Sequence, residues 1–207
     1  MKITALRVAS DVVAELAGHR SDHPASYPEQ AGSIASAFKT SEFLRNYWLV
    51  DTLQESLQLL TPNFCVFVGQ YGLTAHLLMQ RFPDSPIVSV DSSEFCKKYG
   101  ERIFPGSGFE FISSSEEACQ PDGGANNVIV CPSCHQLQKS QLQRLLANRR
   151  RGTIVALQTR AGEDRHDTEH IASLLSFADW IEATAPTQHF RGAISFEGED
   201  YFMVIAQ

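Results

Sequence analysis

The chain has no uninterrupted run of about 20 apolar residues, the length that a membrane-spanning helix needs. Basic residues are in the minority: 17 lysines and arginines stand against 24 acidic residues, and the net charge is −7. A protein that binds nucleic acids in general needs a basic surface, so this balance argues against such a partner. We therefore expect a protein that neither crosses a membrane nor binds nucleic acids generally.

The sequence also lacks an internal repeat, a low-complexity tract and an N-terminal segment typical of a secretory signal. Its five cysteines are an odd number, which favours free thiols in a reducing compartment. With 207 residues, 43% of them hydrophobic, the chain is long enough to bury one core. The expectation is a single cytoplasmic domain of residues 1–207, with an unknown oligomeric state.

The segment FCVFVGQYGLTAHLLMQRFPDSPIVSVDSS, residues 64–93, carries the most information. It begins with an apolar run without alternation, typical of a strand that is covered on both faces in a parallel sheet. Gly69 and Gly72 follow, and residues without a Cβ permit a sharp turn and the close approach of a ligand. A helical pattern and a second strand ending at Asp91 come next. A carboxylate at this edge of the sheet can accept hydrogen bonds from both hydroxyls of a ribose.

Before this segment, residues 1–18 indicate a short strand or helix, and residues 19–33 indicate a loop. A helix is predicted from Ser41, its N-cap, to the residue before Pro62. After it, alternating patterns predict helices at 93–102, 116–119, 136–147 and 168–177, and strands at 109–113, 127–130, 153–158, 180–184 and 201–206. The alternation predicts a parallel sheet, and the last two strands, which no helical pattern separates, should pair antiparallel.

This order resembles the class I S-adenosylmethionine-dependent methyltransferases. VFVGQYGLTAHLL is similar to their glycine-rich first motif, and FPDSPIVSVDSS to the segment that ends on the ribose-binding acid. NNVIVCPSCHQLQKSQLQRLLANRRRGTIVAL is similar to the fourth strand, the active-site loop, the next helix and the fifth strand. The resemblance, over about residues 40–207, implies an α/β fold: a doubly wound, mostly parallel seven-stranded sheet (the Rossmann-like methyltransferase fold) with an antiparallel C-terminal strand. It further implies methyl transfer from S-adenosylmethionine to a small molecule, with residues 1–40 as an N-terminal extension or lid on a core of residues 41–207.

The resemblance also implies site residues. The expected cofactor-binding residues lie at the ends of the first four strands: Gly69, Gln70, Tyr71, Gly72, Asp91, Ser92, Ser114 and Cys131. The expected catalytic residues are His135, Ser133 and His189, with His135 as the first choice for a base and His189 as the second. Arg160, His166 and His170 follow the fifth strand and could touch a substrate or lie in a surface loop. No metal site is expected.

The segment departs from the family's pattern in two places. Phe67 stands near the position where an acid usually precedes the first glycine, and the bulky Gln70 and Tyr71 lie between the two glycines. These departures leave open a non-catalytic protein of the same fold that acts as an interaction or ligand-sensing subunit. A nicotinamide-dependent oxidoreductase is a further alternative, since the spacing from Gly69 to Asp91 suits it, but the three-glycine fingerprint is absent.

Residues 131–135, Cys-Pro-Ser-Cys-His, also match the signatures of other sites. The spacing is that of a covalent haem site, which needs an exported chain. The two thiols could form a redox pair between a strand and a helix, although a thioredoxin arrangement needs a further helix after the last hairpin. They could supply zinc ligands with His135, but Cys134 and His135 are adjacent and hard to direct at one metal. A structural role, with His135 capping the next helix and the thiols in the core, also remains open.

Overall fold

The computed structural model describes residues 2–18, 26–57, 61–115, 126–161, 174–182, 185 and 187–207. The helices in this part are α1 Lys2–Gly18, α2 Ser26–Ala37, α3 Thr40–Ser56, α4 Leu73–Arg81, α5 Glu94–Ile103, α6 Lys139–Ala147 and α7 Leu174–Glu182. The strands are β1 Asn63–Phe67, β2 Ile87–Asp91, β3 Glu110–Ser113, β4 Asn127–Cys131, β5 Ile154–Arg160, β6 Gln188–Phe196 and β7 Glu199–Ala206.

The strands form one seven-stranded sheet in the order β3-β2-β1-β4-β5-β7-β6. The five strands β1 to β5 pair in parallel, and β7 runs antiparallel to both β5 and β6. This arrangement confirms the predicted fold class and the antiparallel C-terminal pairing. It also brings the carboxyl ends of β1 to β5 and the beginning of β7 to the same edge of the sheet.

The central strands are buried because helices cover both faces of the sheet. In β1, Phe64 and Val66 belong to a core shared with helices α1 to α5, whereas Cys65 and Phe67 belong to a core shared with α6 and α7. Neighbouring residues of a strand point to opposite faces, so a strand between two cores needs apolar residues at every position. The apolar run without alternation therefore predicted this strand correctly.

The loop predicted at 19–33 is wrong from residue 26 onward, because α2 begins at Ser26. Ala31 and Ile34 form its buried face, one helical turn apart, and the small residues around them give little apolar signal. The N-cap of α3 is Lys39 rather than Ser41, which lies inside the helix and is buried. That helix ends at Ser56, earlier than Pro62 suggested.

The strand predicted at 180–184 is also wrong. Residues 174–182 form α7, whose Phe177, Ala178 and Ile181 are buried at helical spacing. The true sixth strand is β6, at 188–196. As the edge strand it alternates between half-buried and exposed residues, so it lacks the apolar run that marks the inner strands. The predicted helix at 116–119, residues 168–173 of another, His166 and His170 lie outside the described residues.

The thiols differ in part from the expectation. Cys96, Cys131 and Cys134 are free, as predicted, but Cys65 is disulfide-bonded. An odd number of cysteines leaves at least one thiol unpaired, but it does not prevent a disulfide between two others. Within the described residues, every helix is too short or too polar to cross a membrane.

Candidate functional site

A cleft of about 840 Å³ opens at the sheet edge where the parallel strands end. Its volume lies within the range of about 300–1,000 Å³ that is typical of small-molecule pockets. Residues that follow β1, β2, β3, β4 and β5 line it, and the helices α2 and α3 contribute the opposite wall. This is the edge at which open α/β sheets bind ligands.

The turn between β1 and α4 has an unusual backbone. Val68 and Gln70 have positive φ angles of 54° and 48°, in the left-handed region that side chains other than glycine rarely adopt. Gly72, with φ 87°, precedes the first residue of α4. Strained backbone of this kind persists only where surrounding contacts hold it, and it is frequent at ligand-binding turns.

Packing requires that both glycines of this turn lack a side chain. A Cβ on Gly69 would lie 2.3 Å from the hydroxyl of Ser89, and one on Gly72 would lie 2.5 Å from the ring of Phe111. Both positions face the protein interior and neither lines the 840 Å³ cleft. The approach of a ligand to the backbone at Gly69 and Gly72 stays a prediction, and the residues of this turn that line the cleft are Val68, Gln70 and Tyr71.

Asp91 ends β2 and lines the cleft. Its Oδ2 accepts a hydrogen bond from the backbone N–H of Gln70 (3.0 Å), and its Oδ1 accepts one from the backbone N–H of Ser93 (3.0 Å). Burial raises the pKa of the carboxyl above its ordinary value, and the two backbone hydrogen bonds oppose that shift. The side chain of Cys96 also hydrogen-bonds this carboxyl, and the lone pairs that remain on its oxygens can accept from a ligand.

Tyr71 joins the turn to helix α2. Its side chain is only 2% exposed, its hydroxyl donates to Ser33 Oγ (2.8 Å), and its ring packs near Phe38 and Phe95. Burial raises the pKa of the phenol, which stays neutral at physiological pH. Tyr71 touches the cleft but is mainly a core residue.

The loop after β4 brings only one of the predicted residues to the cleft. His135 is half-buried and lines it, in a 3-10 turn of residues Cys134–Gln136. Ser133 is buried and accepts a hydrogen bond from Arg45 (2.8 Å), and Cys131 is fully buried in the core. Cofactor binding by Cys131 and catalysis by Ser133 stay predictions, since neither residue lines the cleft: Cys131 lies in the core and Ser133 bonds to Arg45.

The same burial decides between the alternative signatures of this loop. Cys134 is 4% exposed, its thiol lies against the backbone oxygen of Cys131 (3.5 Å), and burial raises its pKa well above the ordinary value. Two enclosed thiols do not suit a covalent haem or an accessible redox pair. Within the described ranges, no three histidine, cysteine or acidic side chains are grouped so as to hold a metal ion.

The sequence interpretation missed Arg45, which joins α3 to the end of the sheet. This side chain is 1% exposed and donates to the backbone oxygen of Pro132, to Ser133 Oγ (2.8 Å) and to Gln158 Oε1 (3.0 Å). It also forms an ion pair with Glu42, one turn earlier in the same helix. Glu42 lines the cleft, so Arg45 fixes both a carboxylate and the loop that carries His135.

At the far end of the cleft, two cations share one carboxylate. Arg160 Nη1 lies 2.7 Å and Lys39 Nζ 3.6 Å from Glu199 Oε1, and both cations line the cleft. The hydroxyl of Tyr201 donates to the other oxygen of Glu199. This hydrogen bond, together with Arg160, holds the pKa of Glu199 below its ordinary value. The expectation that Arg160 lies near the ligand edge agrees with this position.

His189 does not join the site. It lies in β6 and is exposed. Its neighbour Gln188 pairs with Ala206 of β7, and Ala206 pairs with Val155 near the beginning of β5. That position is at the sheet edge opposite the cleft. The sequence pattern puts His189 between two strands, because the alternation of half-buried and exposed residues in β6 does not give the apolar run of an inner strand.

The predicted residues therefore divide into two groups. Those that line the cleft are Gln70, Tyr71, Asp91, Ser92 and His135. Those that do not are Gly69, Gly72, Ser114, Cys131, Ser133 and His189. After β3 it is Ser115 that lines the cleft, while the backbone N–H of Ser114 donates to the backbone oxygen of Asp91 (2.9 Å).

No protein-family model and no curated protein matches the sequence. Solved structures do match it in fold. The plantazolicin methyltransferase BpumL, in complex with S-adenosylhomocysteine, is 10% identical with a TM-score of 0.64, over 100% of this chain and 98% of that one. Magnesium protoporphyrin IX methyltransferase (ChlM) from Synechocystis PCC 6803, with bound S-adenosylmethionine, is 12% identical with a TM-score of 0.56, over 97% of each chain.

A third similar structure is the Pyrococcus abyssi tRNA (uracil-54, C5)-methyltransferase in complex with S-adenosylhomocysteine. It is 14% identical with a TM-score of 0.55, over 79% of this chain and 38% of that one. The acceptors in these names differ widely, whereas the fold is common to all three. At these identities the likeness shows that the chain has the Rossmann-like fold of class I methyltransferases.

Proposed function

We propose that the protein binds S-adenosylmethionine in the cleft and transfers its methyl group to a small molecule. The observation that carries this proposal is the carboxylate of Asp91, which lines the cleft at the end of β2 with both oxygens oriented by backbone N–H groups. Such a carboxylate suits the two hydroxyls of a ribose. The methyltransferase fold and the cofactors bound by its structural neighbours support the same ligand.

The cofactor supplies a methyl group that its sulfonium already activates for displacement, so the protein mainly has to bind and orient the two reactants. Asp91 would hold the ribose, and Gln70 and Ser92 would lie beside it. A hydroxyl or amine acceptor must also lose a proton, and His135 is the proposed base because its side chain lines the cleft after β4. Helix α2 belongs to the predicted N-terminal lid and would cover the cleft. The hydrogen bond from Tyr71 to its Ser33 would hold it there.

The acceptor is proposed to be a small molecule because the cleft is of small-molecule size and the chain carries a net charge of −7. Lys39 and Arg160 at one end of the cleft favour a polar acceptor.

A non-catalytic protein of the same fold is the second candidate. The turn between β1 and α4 favours it, because this turn has only two glycines, with the bulky Gln70 and Tyr71 between them. A nicotinamide-dependent oxidoreductase is less well supported. The antiparallel β7 between β5 and β6 differs from the all-parallel order typical of dinucleotide-binding sheets.

Calorimetric titration of the purified protein with S-adenosylhomocysteine separates these candidates. We expect saturable binding in the micromolar range or tighter, and methyl transfer from labelled S-adenosylmethionine to one member of a panel of polar small molecules. Binding without transfer to any acceptor would favour the non-catalytic candidate. If neither S-adenosylhomocysteine nor S-adenosylmethionine binds, the proposed function is wrong.

The affinity for S-adenosylhomocysteine should fall on acidification at a pH above the ordinary pKa of an aspartate. Burial raises the pKa of Asp91, and the protonated carboxyl can no longer accept from both ribose hydroxyls. Tyr71 and Cys96, which face Asp91, do not contribute, since burial raises the pKa of the phenol and raises that of the thiol to about 12. Calorimetric titrations at a series of pH values from about 8 to about 4 measure this fall in affinity.

The pH dependence of stability has the opposite sign. A raised pKa means that the native state holds the proton of Asp91 more tightly than the unfolded chain does. The contribution of Asp91 to the free energy of unfolding therefore increases as the pH falls through the raised pKa. A loss of affinity that ran parallel to unfolding, or that persisted in the Asp91→Asn variant, would contradict the assignment.

A further inference from the structure

We propose that Glu42 accepts the ammonium group of the amino-acid tail of the cofactor, an inference that rests on the proposed function. The ligand carries a ribose at one end of its reactive part and an α-amino group at the other, joined by the 5′ carbon, sulfur and three further carbons. A cleft that binds it at Asp91 should therefore present a second anion some distance along the sheet edge. Glu42 is the partly buried carboxylate in that position.

The fold determines where Glu42 lies. Asn46, one turn later in α3, accepts a hydrogen bond from Thr74 Oγ1 (2.5 Å) in the first turn of α4 and donates to the backbone oxygen of Glu42 (2.7 Å). On the other side, Arg45 contacts Pro132 and Ser133 after β4. Arg45 also donates to Gln158 in β5, so helix α3 lies over the ends of β4 and β5, with the first turn of α4 beside it.

Asp91 marks the neighbouring strand on the opposite side of β1, since the sheet order is β2-β1-β4. With strands about 4.8 Å apart, the ends of β2 and β4 are separated by about 10 Å. A ribose held at Asp91 with its tail directed over the turn at 68–72 would bring the amino group towards Glu42. Both acids line the same cleft.

The side chain of Glu42 is held in place before any ligand arrives. Its Oε2 accepts from Arg45 Nε (2.6 Å) and also forms the ion pair with Nη2, and the side chain is 13% exposed. Oε1 is then the oxygen that can accept from a ligand. Arg45 lies behind it, because it lines a separate small inner cavity and not the 840 Å³ cleft. A carboxylate that is fixed in advance loses little entropy on binding.

Glu29 is the natural comparison for Glu42. It lines the same cleft from α2 but is exposed, so its charge is solvated. A solvated carboxylate contributes little to the binding of a cation. The two glutamates therefore offer a matched pair: Glu42→Gln tests the proposal, and Glu29→Gln is its control.

The experiment compares two ligands, S-adenosylhomocysteine and 5′-methylthioadenosine, which keeps the nucleoside and the sulfur but lacks the amino-acid tail. We expect Glu42→Gln to weaken the binding of S-adenosylhomocysteine about tenfold or more, as for the loss of a hydrogen bond between charged groups. The affinity for 5′-methylthioadenosine should change less than about twofold, the variation expected when the altered residue does not contact the ligand. Glu29→Gln should leave both affinities nearly unchanged.

A change of ligand also tests the proposal in the unaltered protein, where equal affinity with and without the α-amino group would overturn the inference. The analogue of S-adenosylhomocysteine that lacks the α-amino group should bind the unaltered protein about tenfold more weakly, and Glu42→Gln should cause no further loss with it. Equal weakening of S-adenosylhomocysteine and 5′-methylthioadenosine would mean that Glu42 only balances the charge of Arg45, and the inference would be wrong. A large effect of Glu29→Gln would transfer the role to Glu29. If the unaltered protein binds none of the three ligands, the proposed function fails with it.

Discussion

The Asp91→Asn variant should bind S-adenosylhomocysteine at least about 30-fold more weakly than the unaltered protein, as measured by calorimetric titration. Asparagine keeps the shape of the side chain but loses its charge and one acceptor oxygen. Hydrogen bonds to a charged group contribute about 1.5–3 kcal/mol each, so the loss of one of two corresponds to roughly 2 kcal/mol, or about 30-fold in affinity.

Asp84→Asn is the matched control for this variant. Asp84 is exposed and precedes β2, at the opposite end of the strand from Asp91. Its replacement should leave both affinity and stability unchanged. An Asp91→Asn protein that binds as tightly as the Asp84→Asn control would remove the observation on which the proposed function rests.

Asp91→Asn should also lower the stability of the fold. An amide can accept from only one of the N–H groups of Gln70 and Ser93, so the other is left without its acceptor. Such a loss costs about 1–3 kcal/mol. The free energy of unfolding should therefore be measured alongside the affinity, and titration well below the midpoint of thermal unfolding separates the two effects.

Arg45→Met should reduce the free energy of unfolding by about 3–5 kcal/mol, the range for breaking a buried ion pair by removing one partner. Methionine fills much of the volume of arginine but leaves Glu42 buried without its guanidinium. It also leaves Ser133, Gln158 and the backbone oxygen of Pro132 without a donor. Denaturant unfolding followed by circular dichroism measures the difference in midpoint and slope.

The control for this variant is Arg102→Met, which removes an arginine from an exposed ion pair with Glu15. Exposed pairs contribute about 0–1 kcal/mol, so the midpoint should hardly move. Arg45→Lys should recover only part of the loss, because a single ammonium cannot serve four separate acceptors in the directions that a guanidinium reaches. Equal effects at Arg45 and Arg102 would show that the burial of Arg45 has been overrated.

Local sequence patterns predicted the part of the fold that positions the site. The apolar run of β1, the glycine turn and the position of Asp91 at the end of β2 follow from residue types within 30 neighbouring residues, 64–93. These elements are buried on both faces, and burial leaves a strong apolar signal. The antiparallel pairing of β7 also followed, since no helical pattern separates it from the strand before it, although that strand lies at 188–196 and not at 180–184.

Features that depend on distant contacts were not predictable in the same way. Arg45 lies on the buried face of α3 with Leu49, and a charged residue at such a position is the only sign of its role. Its acceptors Ser133 and Gln158 are 88 and 113 residues away along the chain. The edge strand β6 was missed because one of its faces is exposed, and α2 because small residues supply its buried side.

The two backbone hydrogen bonds of Asp91 also bear on stereochemistry. A carboxylate tethered at both oxygens cannot rotate to follow a sugar of a different configuration. In the proposed complex its remaining lone pairs accept from the 2′ and 3′ hydroxyls, which have to be cis-related to reach one fixed carboxylate. Deoxynucleosides and arabinosides would leave one of these lone pairs without a donor, so the rigidity of a single side chain would make the cleft selective for ribonucleosides.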